Sequence, residues 1–276
     1  MAFDSVQGAC EDTAFAVKKL FLGPYRVRRV QLYGVGIGKS GTHSIAKMFS
    51  HRVRTRHEPQ AAQLIDKIIN WRKGRIGEQE ITDWLRTRDR ALALEIDSSG
   101  LNLQILDILL REFPKALFVL AIRDCYSWVN SRMNGDISGH QSGPWFEWSR
   151  FLYGDGPFVY APKEEALKNR NLCNLDTYFS SWATRNRRVL DQVPPERLFV
   201  VRTDQIRDRA FELADFAGLP RRVVRLHRTH EFKNSRKLGI IREIDREFLE
   251  RKVEQHCRPL MTRFFPEIKS LDDTRL

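Results

Sequence analysis

Lys39 stands in a run of glycines and hydroxyls, Gly36-Ile-Gly-Lys-Ser-Gly-Thr-His-Ser44, directly after the apolar stretch Val30-Gln-Leu-Tyr33. The pattern is that of a strand ending in a glycine-rich turn, with Ile45, Met48 and Phe49 opening a helical period. Such a turn aims backbone N–H groups and a helix N-terminus at one point, and that point suits an anion, usually a phosphate. The nearest common motif is the nucleotide P-loop, G-x-x-x-x-G-K-[ST]. Gly38-Lys39-Ser40 fits its ending, whereas Tyr33 stands where its first glycine belongs. The run is therefore a phosphate loop that departs from the ATP-hydrolysing type.

A second junction repeats the logic. The apolar run Leu117-Phe-Val-Leu-Ala-Ile122 ends in Arg123-Asp124, and Ser131 follows eight residues after Arg123. Tyr126, Trp128 and Val129 between them suit a helix. An arginine at a strand end and a serine two helical turns on can converge on a phosphate, one through its guanidinium fork and the other through a short hydroxyl contact. Two such junctions imply a nucleotide phosphorylated at two separate places.

Lys39-Ser40-Gly41-Thr42 resembles the K-S-G-T loop of the sulfotransferases that use 3′-phosphoadenosine-5′-phosphosulfate, and Arg123…Ser131 resembles their 3′-phosphate motif. Arg197-Leu-Phe-Val-Val-Arg-Thr-Asp-Gln-Ile206, followed by Phe216-Ala-Gly-Leu-Pro220, is similar to their late strand and its helix. The three motifs occur in family order and span Gln31 to Pro220. The resemblance implies a three-layer α/β fold, a central and mostly parallel sheet flanked by helices, in the P-loop NTPase-like sulfotransferase architecture. It implies transfer of a sulfuryl group to a hydroxyl or amine of a small-molecule or carbohydrate acceptor, with adenosine 3′,5′-bisphosphate as product and no metal. By the same resemblance Lys39 contacts the leaving oxygen, and Gly38, Ser40, Gly41, Thr42, His43 and Ser44 cradle the 5′-phosphate. His43 replaces the usual threonine, and its ring either donates to the donor or points outward. Thr203 stands at the start of the late motif, where relatives carry an adenine-contacting tyrosine; the hydroxyl is kept and the ring is absent. Trp128 reads as core. Lys233, Asn234, Arg236 and Lys237 are candidates for a basic loop closing over the donor, with plain surface charge as the alternative.

A base must take the acceptor proton. The histidine that one branch of the family places after its middle strand is missing from Glu95-Ile-Asp-Ser-Ser99. The heparan-type branch has a glutamate about twenty residues after the loop lysine, and Glu58 lies nineteen after Lys39. Glu58 is the first choice, Asp97 the second and His57 the third; an ion pair or helix cap is the competing role for each.

The elements that must position these residues alternate. Strands are expected over 27–36, 53–56, 91–96, 116–122 and 198–202, and helices over 41–51, 59–73, 78–88, 101–112, 177–190, 208–217 and the charged tail 240–265. Alternation implies a parallel sheet with helices on both faces and ligands at the carboxyl ends of its strands. Residues 1–26 read as an N-terminal arm of a single domain over 1–276. The stretch 134–175, rich in Gly, Pro and aromatics, reads as an irregular insertion that packs on itself or forms an acceptor-binding lid.

Composition narrows the class. The formal net charge of +12 suits a polyanionic partner, but the arginines are scattered, which argues against nucleic acid. No apolar run approaches a membrane span, and the N-terminus has no signal-peptide pattern. The four cysteines lack C-x-x-C spacing and read as reduced thiols of a cytoplasmic protein without a metal site. A P-loop kinase is the alternative reading; it would need a magnesium-binding acid, a role open to Asp97. The acceptor and the oligomeric state are not legible.

Overall fold

A computed structural model describes residues 27–50, 52–139, 142–228 and 238–274 of the chain. The arm at 1–26 and the candidates Lys233, Asn234, Arg236 and Lys237 lie outside the described residues. Five strands form one sheet in the order β2-β3-β1-β4-β5, every pair parallel. They are β1 (Leu32–Gly34), β2 (Thr55–His57), β3 (Ile96–Ser98), β4 (Leu117–Ile122) and β5 (Leu198–Arg202). The helices are α1 (Thr42–Phe49), α2 (Ala61–Arg72), α3 (Glu78–Leu92), α4 (Leu106–Glu112), α5 (Cys125–Ser138), α6 (Pro144–Tyr153), α7 (Glu165–Lys168), α8 (Leu175–Gln192), α9 (Ala210–Phe216), α10 (Arg246–His256) and α11 (Arg258–Phe264).

The sheet is covered on both faces, which is why β4 is apolar without alternation. Phe118, Leu120 and Ile122 enter one core with Tyr33, Val35, Trp128 and Trp182. Val119 and Ala121 enter the other with Leu32, Ile45, Met48, Phe49 and Val201. Period-two side-chain placement thus divides one strand between two cores and produces a three-layer α/β structure.

The chain differs from the periodicity-based expectation in several places. The strand expected over 91–96 starts later, because α3 continues through Leu92 and stops only where Ala93 takes a left-handed backbone, φ 46°. The helix expected over 101–112 opens as a 3₁₀ turn over Gly100–Ile105, with the Ser99 side chain accepting from the Leu101 N–H. The segment 134–175 is not wholly irregular: it holds the end of α5, all of α6 and α7, and a 3₁₀ turn. Two of its prolines stand at element starts, Pro144 in the first turn of α6 and Pro162 at the start of a 3₁₀ turn, where a missing N–H costs nothing.

Candidate functional site

Strand order reverses direction around β1, whose neighbours are β3 and β4. The loops leaving β1 and β4 therefore open at the same edge of the sheet, the topological switch point where α/β folds bind ligands. A cleft of about 2610 Å³ lies there. Among the residues singled out from sequence, Gly38, Lys39, Gly41, Thr42, His43, Ser44, His57, Glu58, Arg123, Ser131 and Thr203 line it. Ser40 and Asp97 do not; both are buried below the surface of the cleft.

The loop is braced from below. The Ser40 hydroxyl donates to the Ile37 carbonyl at 2.6 Å, so this side chain shapes the turn. Thr203 Oγ1 donates to the carbonyls of Ser40 at 2.6 Å and Ile122 at 3.1 Å, tying the end of β5 to both junctions. Asn102 donates to the Gly34 carbonyl at 3.2 Å, and Ser98 Oγ to the Thr42 carbonyl at 2.7 Å. Gly41 has φ 107°, and a Cβ there would meet Ile206 Cδ1 at 2.5 Å, so only glycine serves. Helix α1 begins immediately after it with no side-chain cap and no acid in its first turn. Its N-terminal amides are those that an anion would take.

Lys39 itself is left-handed, φ 72°, a conformation that a non-glycine residue holds only when its surroundings impose it. Its side chain crosses Gly135 of α5, where a Cβ would meet Lys39 Cε at 2.9 Å. Burial and the Arg132 guanidinium draw its ammonium down from the ordinary lysine value, while Asp136 and Glu58 act in the opposite sense. Arg123 leans onto the same turn, its guanidinium 3.4 Å from the Lys39 carbonyl. Asp124 starts α5 by accepting from the Ser127 N–H at 2.8 Å. Two turns on, that helix carries Ser131 into the cleft.

The three base candidates sit in different environments. Glu58 follows β2 at a left-handed position, φ 51°. Burial pushes its carboxyl up to about 7, against the pull of Lys39. A carboxyl with that value, beside a lysine and on the cleft, can accept a proton near neutrality. His57 Nε2 lies 3.1 Å from Thr42 Oγ1. Burial, with His43 and Lys47 nearby, lowers the ring to about 3, so it is neutral near pH 7. Asp97 accepts from Arg88 at 2.8 Å, with both side chains about 6% exposed, and from Asn102 at 3.2 Å. Arg88 also donates to the Pro59 carbonyl at 2.8 Å. This buried pair holds the backbone next to Glu58 and keeps Asp97 out of the cleft.

The cleft extends past Lys39 into a compartment built by α5, α6 and α8. Trp145, Phe146, Leu152, Tyr153 and Phe158 line it, with Arg132, Asp136, Tyr178 and Arg185. Sequence composition finds its aromatics and Gly135 as a group. It misses the arginines, because helical neighbours three and four apart carry signal only once the helix is placed. Trp128, read as core, is buried, and its indole N–H also donates to the Gly38 carbonyl at 2.9 Å.

The chain matches no protein-family model and no curated protein. It is similar to solved sulfotransferase structures. A sulfotransferase from Alicyclobacillus acidocaldarius aligns over 86% of this chain and 96% of its own, at 15% identity and a TM-score of 0.49. The sulfotransferase domain from the curacin biosynthetic pathway aligns over 78% of this chain and 83% of its own, at 12% identity and a TM-score of 0.35.

Proposed function

We propose that this chain transfers the sulfuryl group of 3′-phosphoadenosine-5′-phosphosulfate to an acceptor hydroxyl or amine. The observation that carries the reading is the junction of β1 with β4. An uncapped helix start, Lys39, Arg123 and Ser131 share one cleft, and Glu58, with its carboxyl raised to about 7, faces the same lysine.

In this reading the amides and hydroxyls of Gly41 to Ser44 hold the 5′-phosphate, and Arg123 with Ser131 holds the 3′-phosphate. The acceptor oxygen attacks sulfur as the bond from sulfur to the bridging phosphate oxygen breaks. The electron pair leaves on that oxygen, where the Lys39 ammonium stabilises the developing charge. Glu58 takes the acceptor proton. Positioning and fixed positive charge are the main demands of such a transfer, as they are in phosphoryl transfer.

Calorimetry with adenosine 3′,5′-bisphosphate, without magnesium, on the wild type and on Arg123→Ala tests the reading. Micromolar binding that collapses in the variant is expected. Failure of both proteins to bind it, together with magnesium-dependent ATP binding by the wild type, would replace the sulfotransferase with a kinase.

A further inference from the structure

Beyond Lys39 the cleft carries more positive charge than a neutral acceptor requires. Arg132 and Arg185 both stand over the Tyr153 ring, each guanidinium carbon 5.0 Å from the ring centroid. Arg132 is neutralised by Asp136, to which its Nε donates at 3.0 Å, and the Tyr178 hydroxyl donates to the same carboxylate at 2.8 Å. Arg185 differs. It donates to the Leu152 carbonyl at 3.2 Å and to the Tyr153 hydroxyl at 3.4 Å, and among the described residues no carboxylate pairs with it. The other arginines lining this part of the cleft are paired, Arg150 with Asp155 and Arg170 with Glu243. A half-buried guanidinium among aromatic walls, held by two neutral acceptors, retains donor capacity directed at an anion. Trp145, Phe146 and Phe158 line the same cleft and offer faces to a flat ring.

We propose that the acceptor is an aryl compound bearing an anionic group, a carboxylate or its like, which Arg185 binds while the hydroxyl to be sulfated lies toward Lys39 and Glu58. The inference rests on the sulfotransferase reading for the identity of the reaction; the anion preference itself does not depend on it. Tyr153 transmits position between the two arginines. Arg132 stays tied to Asp136 and borders Lys39, whereas Arg185 at the far side selects the acceptor's charged end. The site thereby discriminates against neutral phenols of the same size, since these would desolvate the guanidinium without supplying a charged partner.

The test uses two near-isosteric probes, para-hydroxybenzoate and para-hydroxybenzamide, titrated by NMR into the full chain with and without adenosine 3′,5′-bisphosphate. The benzoate is expected to bind roughly tenfold more tightly than the amide, the usual size of one charge-assisted contact. Arg185→Gln should abolish the difference and Arg185→Lys should restore most of it. Equal binding of the two probes, or a preference that survives in Arg185→Gln, overturns the proposal, as does absence of benzoate binding at millimolar concentration. If the bisphosphate binds and the probes are not discriminated, the donor reading stands without the anionic acceptor. If the benzoate preference follows Arg185 and the bisphosphate does not bind, the anion site stands and the donor reading fails.

Discussion

The indole N–H of Trp128 donates to the carbonyl of Gly38 at 2.9 Å, joining the helix that carries Ser131 to the residue before Lys39. One side chain thus links the two strand-to-helix junctions. Trp128→Phe keeps most of the apolar volume and removes the donor. We expect a loss of about 1–3 kcal/mol in unfolding free energy, the cost of an unsatisfied carbonyl plus incomplete filling. Affinity for adenosine 3′,5′-bisphosphate should fall with it. Denaturant melts and calorimetry on the same preparation check both, and a variant with unchanged affinity would detach the tryptophan from the loop's function.

Lys39→Met removes the ammonium and keeps a long side chain over Gly135. Turnover should fall by roughly two to three orders of magnitude, the range for deleting one transition-state donor. Melting temperature should hardly change, since among the described residues no carboxylate forms an ion pair with the lysine. The measurement is steady-state sulfation of a phenolic acceptor beside a thermal scan.

Gly135→Ala separates geometry from stability. Alanine favours a helix interior over glycine by up to about 1 kcal/mol, yet its Cβ takes the space of Lys39 Cε. The variant should be at least as stable as the parent and should turn over at least tenfold more slowly, since small displacements of a reacting group cost rate steeply. Equal activity would show that the lysine reaches its target by another path.

Glu58 links activity to pH. Its folded value, about 7, exceeds the unfolded value of about 4.3. Between those values the native chain holds a proton that the unfolded chain has lost. Stability from this group is therefore full at low pH and falls as pH rises through the window, being lost above about pH 7. Glu58→Gln should match the parent in stability near pH 4 and exceed it by roughly 1–3 kcal/mol near pH 8. Turnover of the parent should rise through about pH 7 as the base ionises, and the variant should lose that limb with a drop of at least about a hundredfold. A parental profile flat from about pH 5 to 9 would assign the proton to another group.

Asp97 has the opposite signature. Breaking its buried pair leaves Arg88 uncompensated, so Asp97→Asn should cost about 3–5 kcal/mol. Residual folded protein should keep most of its pH dependence. A stable Asp97→Asn protein without activity would restore Asp97 as the base.

The loop Gly36–Ser44 and the pair Arg123…Ser131 are legible because each depends on residue types at short spacing beside one strand, and β4 is legible because an unbroken apolar run has few other uses. The end of α3 is not, because Ala91 and Leu92 satisfy helix and strand equally and Ala93's backbone decides. Ranking Glu58 above Asp97 follows from the resemblance to the heparan-type branch, but the reason Asp97 is withheld, Arg88 nine residues earlier on another element, exists only in three dimensions. The Tyr153 ring between Arg132 and Arg185 is of the same kind: three helices contribute one residue each, at separations that no local pattern records.

The hydrogen-bonded pairing of β1 with β4 sets a backbone ruler. Adjacent strands stand about 4.8 Å apart, and the two turns proposed to hold the phosphates leave consecutive rails of that ladder. The spacing of the two backbone turns is therefore set by main-chain pairing, and the Arg123 and Ser131 side chains adjust only the reach from it. A ligand phosphorylated at one position only engages one end of the ruler. Discrimination for a doubly charged nucleotide would in that case be a property of the sheet itself, and substitutions around the cleft could retune the acceptor while leaving the measured span of the donor untouched.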